Sequence, residues 1–408
     1  MKESKETDIL SIEDYRPYAG DRIVDNIKKK ASSLEGSFIA HYNSTFYGGG
    51  VAEMLSPLTI LFNDLGIKTE WRVIQGSPDF FSITKKFHNA LQGDKINLSE
   101  LKKDIYVRVI HENAIRNRSD HDFIIIHDPQ PLPLINFFNK KQPWIWRCHL
   151  DLSQPNIELL DYLKEFIIQY DAIILTLEEY KQNFNLPQII FRPAIDPLCI
   201  KNRELSEDEI KNRLDYYDIP YDLPLIVQVS RFDRAKDPEG VIEAFNIVRE
   251  NIDCNLVLLG NIATDDPEGE KIYNRLLEYK SKNIKILSVQ DSALVNALQR
   301  TATVVVQKSL REGFGLTVTE AMWKEAAVVG GNVGGIKYQI EDGVNGFLVS
   351  NIEETADRII KLIEDEELRK KMGKKAKETV RKNFLMTACI ERYLDLFNSF
   401  ETIYRVNL

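Results

Sequence analysis

The chain has 408 residues, 43% of them apolar and 28% charged, with a formal net charge of −9. That length suits two α/β domains better than one core, and the composition is that of a globular enzyme, which excludes a disordered chain. The acidic balance gives no overall positive field for nucleic acid or an anionic membrane surface, so a phosphate-bearing ligand has to be held by a local arrangement of donors.

The first 25 residues are polar and mixed in charge, without the apolar core of a signal peptide, and no run approaches the roughly 20 apolar residues of a membrane span. The sequence therefore reads as a soluble, cytoplasmic protein. Its four cysteines, Cys148, Cys199, Cys254 and Cys389, lie far apart and form no CxxC pair, which fits reduced thiols rather than a disulfide framework or zinc ribbon.

Short apolar runs then alternate with longer amphipathic stretches. Residues 38–43 read as a buried strand, 45–50 as a glycine loop and 51–65 as a helix, with further strands at 70–75, 123–127, 144–148, 172–176 and 188–191. A charged helical stretch at 200–217 precedes a second series of strands at 225–230, 255–259, 284–288, 303–306, 327–330 and 346–349. Apolar runs of this length separated by helical periods predict parallel sheets covered on both faces. The expected fold class is α/β: two doubly wound, Rossmann-like domains, 1–217 and 218–385, divided near Pro220 and Pro224, facing each other across a cleft. The last stretch, 386–408, reads as an amphipathic helix that either caps the second domain or crosses back to the first; its periodicity fits both.

The strongest chemical signal is the run from Ser309 to Met322, where a strand leads through Glu312, Gly313, Phe314 and Gly315 into a helix opening near Leu316. Backbone amides at a helix start, approached over glycines, suit a diphosphate. Glu320 lies eight positions after Glu312, hence about two turns inside the helix rather than beside it. Taken singly, Glu312 reads as a solvated loop residue and Glu320 as a helix-surface charge. Flanking a phosphate site, they read as partners for sugar and ribose hydroxyls. Arg231 and Lys236, in the loop after the second domain's first strand, are two cations that would offset charge growing on a leaving diphosphate. Arg234 reads as an ordinary solvated cation.

In the first domain, Gly48, Gly49 and Gly50 follow the first strand, either as a tight turn or as a backbone surface for a ligand. The segments beginning His127-Asp128 and Trp144-Ile-Trp146-Arg147 end later strands and bring His149 and Asp151 to the sheet's carboxyl edge. His149 fits a structural or a substrate role, Arg147 and Asp151 fit a structural pair, and the two tryptophans read as core. Asp265-Asp266-Pro267 reads as a turn and helix cap rather than a metal pair. No motif calls for a cofactor or metal.

At these residues the sequence resembles the retaining GT-B glycosyltransferases of the family containing the sucrose synthases. Glu312 and Glu320 match that family's pair of glutamates and Arg231 with Lys236 its pair of cations. Longer matches at Gly48-Gly49-Gly50-Val-Ala-Glu, His127-Asp-Pro-Gln-Pro, the stretch from Gln142 to Asp151 and the run from Ser309 to Val318 liken it to the archaeal trehalose glycosyltransferring synthases and then to the trehalose phosphorylases. Two departures are Phe191-Arg-Pro-Ala, where relatives tend to carry a proline pair, and Cys199 in place of a small polar residue.

The resemblance implies reversible formation of trehalose from ADP- or UDP-glucose and free glucose, with the α configuration retained. It implies that Arg231 and Lys236 hold the diphosphate with the amides near Gly315 and Leu316, that Glu312 binds the donor sugar and Glu320 the ribose. His149 would contact the donor glucose, Asp151 the acceptor, and Gly48–Gly50 would close on the phosphates. The implied partners are these small molecules, with neither nucleic acid nor membrane; the sequence leaves a homodimer open. Rival readings are a trehalose phosphorylase, a nucleotide-sugar epimerase on the same scaffold, and a non-catalytic sugar-nucleotide sensor.

Overall fold

A computed structural model describes residues 10–46, 49–118, 120–260 and 267–406. It divides the chain into two compact units, one of Met1–Pro193 with Met386–Leu408 and one of Ala194–Leu385. Among the described residues no helix is long and apolar enough to cross a membrane.

The first unit contains a parallel sheet of β1 (Phe38–Asn43), β2 (Lys68–Val73), β3 (Phe123–His127), β4 (Trp144–Arg147), β5 (Ala172–Leu175) and β6 (Gln188–Ile190), in the order β2-β1-β3-β4-β5-β6. β3, β4 and β5 are buried along their whole length, as strands covered by helices on both faces must be, and this is why they read as unbroken apolar runs. Trp144 and Trp146 are fully enclosed core residues.

The second unit repeats the principle with β7 (Leu225–Val229), β8 (Asn255–Gly260), β9 (Ile284–Ser288), β10 (Val304–Gln307), β11 (Val328–Gly331) and β12 (Phe347–Val349), ordered β12-β11-β10-β7-β8-β9 and all parallel.

One boundary differs from the sequence reading of the domains, and one alternative that reading left open is decided. The division falls between Pro193 and Ala194, not at residue 217. Residues 200–217 belong to the second unit because polar contacts bind them there. Asn296 Nδ2 donates to the carbonyls of Ile200 and Arg203, both at 2.8 Å, and the Trp323 indole donates to the Asn202 carbonyl at 3.2 Å. The helix Glu207–Tyr216 starts in a reciprocal cap between Ser206 and Glu209. The helix Met386–Val406 belongs to the first unit. Tyr393 and Phe397 pack on Phe62, Phe397 also meets Phe123, and Lys30 pairs with Glu391 at 2.9 Å and Asp395 at 2.7 Å.

Candidate active site

In the second unit the chain proceeds outward in opposite directions from β7 and β10, which are neighbours. The carboxyl ends of these two strands therefore flank the position where open α/β sheets bind ligands. After β7, Asp233 accepts the Ala235 amide at 2.8 Å and opens the short turn Arg234–Lys236. Asp237, with φ of +51°, closes that turn and caps the helix Pro238–Arg249 through the Gly240 amide at 3.2 Å. Gln228, buried on β7, donates to the Lys236 carbonyl at 2.8 Å. The lysine's backbone is thus fixed from both sides.

The loop after β10 is tied to this turn. The Leu310 amide donates to the Ala235 carbonyl at 2.7 Å, and the buried Lys308 forms an ion pair with Asp237. These contacts bring together two of the residues the sequence singles out: Lys236 Nζ lies 2.6 Å from Glu312 Oε2, the side chains 15% and 10% exposed. The Ser309 hydroxyl donates to the same carboxylate oxygen at 3.3 Å. Gly315, with φ of +85°, then turns the chain into the helix Leu316–Trp323, while Phe314 is buried against Phe384. The amides of Leu316 and Thr317 have no acceptor within the helix, as at any helix start. Gly334 supports the loop from beneath: a Cβ there would sit 1.6 Å from the Glu312 carbonyl oxygen, so only glycine lets the two segments approach.

Arg231 is 56% exposed, its guanidinium 3.5 Å from the Asp233 carboxylate. Glu320 is neither beside Glu312 nor a helix-surface charge: it is buried inside the helix, 3.5 Å from Lys201 Nζ. One turn further, Lys324 is buried with Nζ donating to Asn202 Oδ1 at 2.8 Å, Gln299 Oε1 at 2.9 Å and the Glu320 carbonyl at 3.1 Å. Burial pushes its ammonium down to about 7.

In the first unit the chain reverses direction across the sheet between β1 and β3, and their carboxyl ends, with that of β4, hold the polar groups. Gly48 lies outside the described residues; Gly49 and Gly50 open the helix Gly49–Asp64. Asp265 and Asp266 also lie outside the described residues, and among those described no cluster of His, Cys, Asp or Glu could hold a metal ion. Asp128 follows β3 with φ of +61°, accepts the His149 amide at 2.8 Å, and is pushed up to about 7 by burial. His149 Nε2 lies 2.9 Å from His127 Nδ1, and His127 Nε2 lies 2.9 Å from His41 Nδ1.

All three rings are held below the usual histidine range by burial, His41 to about 3, with Arg147 opposing their charge further. Arg147 does not pair with Asp151. Its guanidinium is buried, donates to the Phe191 carbonyl at 3.2 Å and lies over the rings of Phe191 and Tyr393. Asp151 accepts the Ser153 amide at 2.8 Å. Sequence reading gave no part to His41 or Lys308 and named Asp128 only within the segment that ends β3. The one signal available was their position at or near the ends of apolar runs, which is where a parallel sheet gathers polar side chains.

Two family models match the chain, one described as "Trehalose synthase, N-terminal domain" over residues 41–182 and one as "Glycosyl transferases group 1" over 211–379. The trehalose synthase of Thermococcus litoralis is 47% identical over 95% of this chain and 97% of its own length. That of Rubrobacter xylanophilus is 39% identical over 95% and 96%. Among solved structures, an α,α-trehalose-phosphate synthase from Burkholderia xenovorans superposes with a TM-score of 0.71 at 15% identity, covering 89% of this chain and 100% of that one, and establishes the GT-B fold of two Rossmann-like domains. The chain belongs to the trehalose synthase family of group 1 glycosyl transferases and is a glycosyltransferase.

Proposed function

We propose that the protein is a retaining glucosyltransferase that forms trehalose from a nucleoside-diphosphate glucose, ADP- or UDP-glucose, and free glucose, reversibly. The observation that carries this reading is the convergence of Lys236, Glu312 and the amides of a helix start at the ends of β7 and β10, in a chain of the trehalose synthase family.

In this reading Lys236 and Arg231 hold the diphosphate, joined by the amides of Leu316 and Thr317 and the backbone of Gly313, Phe314 and Gly315. The Lys236–Glu312 pair holds the lysine in place until the donor arrives, and Glu312 then receives hydroxyls of the donor sugar. Glu320 serves the ribose, His149 the donor glucose and Asp151 the acceptor. As the anomeric C–O bond breaks, negative charge grows on the leaving diphosphate and is offset by fixed cations and amides that need no reorganisation. The acceptor hydroxyl attacks the same face, its proton passing to a leaving-phosphate oxygen, so no protein nucleophile is required and the configuration is retained. The enzyme's part is positioning and charge stabilisation.

The test is cleavage of trehalose. Conversion to nucleoside-diphosphate glucose and glucose with ADP or UDP is expected. Cleavage with inorganic phosphate but not with a nucleoside diphosphate would replace this reading with a phosphorylase.

A further inference from the structure

Half of the chain's six histidines meet at one place. His41, His127 and His149 come from β1, β3 and the residue pair following β4, three adjacent strands. Their nitrogens are in contact in series at 2.9 Å each, with ring centroids 5.2 Å and 5.3 Å apart. The centroid separations exceed the nitrogen separations by about two ring radii, so each nitrogen points along the line of centres. That is the geometry of an in-plane N–H···N hydrogen bond. The planes of His127 and His149 differ by only 13°.

A neutral imidazole carries one N–H and one bare nitrogen. His127 must therefore donate to one neighbour and accept from the other, and the whole series takes a single direction. Donated inward, from His149 to His41, every ring carries its hydrogen on Nε2, and the hydrogen on His41 Nε2 has nowhere to go. That nitrogen is buried and has no hydrogen-bond partner among the described residues. Donated outward, every ring carries its hydrogen on Nδ1, and His41 Nε2 is a bare lone pair. A buried N–H without an acceptor is the rarer and costlier defect. The inner end of the series therefore selects the outward direction.

Two further groups hold the arrangement. Arg147, buried with Nε and Nη1 unpartnered, opposes a proton on any of the three rings. The Asp128 carboxyl accepts the His149 backbone amide and fixes the ring's attachment. His149 itself keeps partial exposure, and its Nδ1 has no hydrogen-bond partner among the described residues.

We propose that His41 and His127 are positioning residues that hold His149 as the neutral Nδ1–H tautomer, so that its outer nitrogen donates a hydrogen bond to an oxygen of the bound sugar. The inference deepens the assignment of His149 to the donor glucose and rests on that reading. His149 then acts as a neutral donor of fixed direction. It orients the sugar without adding charge near the anomeric carbon, and it is not a general base, because its only outward atom already carries a hydrogen.

The tautomers can be read directly in the full-length protein. Histidine labelled with ¹⁵N and examined by two-bond ¹H–¹⁵N correlation at neutral pH, with His41→Asn, His127→Asn and His149→Asn used for assignment, should show the hydrogen on Nδ1 in all three rings. A hydrogen on Nε2 of His149, or a charged ring, overturns the proposal. In kinetics, His127→Leu should lower kcat roughly 10-fold with KM for the nucleotide sugar unchanged. His127→Asn, whose amide reaches the Nδ1 position, should recover most of that loss. Equal loss in both variants overturns the positioning role, and if His127→Leu does not fold, the tautomer of His149 in the unaltered protein decides. His149→Ala with undiminished turnover would remove the sugar-contact reading instead; the tautomer signal, recorded without substrate, keeps these two failures apart.

Discussion

Lys236 Nζ and Glu312 Oε2 stand 2.6 Å apart at the ends of two neighbouring strands, although 76 residues separate them in the chain. The pair is largely withdrawn from water, whereas Arg231, on the same loop as Lys236, is 56% exposed. This difference separates binding from stability. Arg231→Ala should leave thermal stability unchanged, since an exposed cation contributes little to it. Its loss of charge stabilisation in the transition state should nonetheless cost about 2–4 kcal/mol, roughly 30- to 1000-fold in kcat/KM. Lys236→Ala should show the same kinetic loss and a lower melting temperature as well, because a largely buried ion pair with Glu312 is lost. Near-normal turnover in either folded variant would contradict the assignment.

The first unit should be acid-labile for a reason found in its sheet. Burial holds His41, His127 and His149 well below the ordinary histidine value of 6.5. A base whose folded pKa is depressed binds its proton in the unfolded chain first, so stability is lost as pH falls below about 6.5. Asp128, pushed up to about 7, works in the opposite sense and offsets one of the three. Across this range the unfolded chain binds more protons at these sites than the folded one, so stability falls as the pH is lowered. Urea unfolding between pH 4.5 and 6.5 should show that fall in stability, and His41→Asn should reduce it. A flat profile would show that the rings are charged in the folded state.

The terminal helix Met386–Val406 is a structural part of the first unit. Phe397 is fully buried among Phe62, Phe123 and Tyr393. Phe397→Ala should destabilise that unit by about 3–5 kcal/mol, the usual result of emptying a large aromatic site. Denaturant unfolding followed by hydrogen exchange should place the loss in β1 and β3. An unchanged first unit would contradict the packing described.

The elements were legible in the sequence. All twelve strands among the described residues lie within about two residues of the expected runs, and those buried on both faces, such as β3, β4 and β5, are legible because they have to be continuously apolar. The glycine loop into Leu316 was also legible, since its chemistry is local. The ownership of 200–217 and 386–406 was not. Amphipathic periodicity says that a helix has an apolar face, and nothing about which surface covers it; here Asn202 and Tyr393 decide through contacts far along the chain. The Lys308–Asp237 pair and the histidine series were hidden for the same reason. His41 is 86 positions from His127, and only the parallel pairing of β1 with β3 brings them together.

The two first-unit residues that the proposed function assigns to the sugars should separate kinetically. Asp151 accepts one backbone amide and is only partly buried, so Asp151→Asn should fold normally and impair use of glucose far more than affinity for the nucleotide. His149→Ala should lower turnover while leaving nucleoside-diphosphate binding almost unchanged. Calorimetry with ADP or UDP, beside glucose kinetics for both variants, reads the difference. Intact glucose kinetics in Asp151→Asn, or loss of nucleotide affinity in both, would place the acceptor elsewhere.

The most direct measurement is product analysis of the purified protein incubated with ADP-, UDP- or GDP-glucose and free glucose. With ADP- or UDP-glucose the expected result is α,α-trehalose, identified by its α anomeric couplings in ¹H NMR, with one nucleoside diphosphate released for each disaccharide. Release of free glucose without a disaccharide, an epimerised sugar from donor alone, or a β-linked product would contradict the proposed reaction.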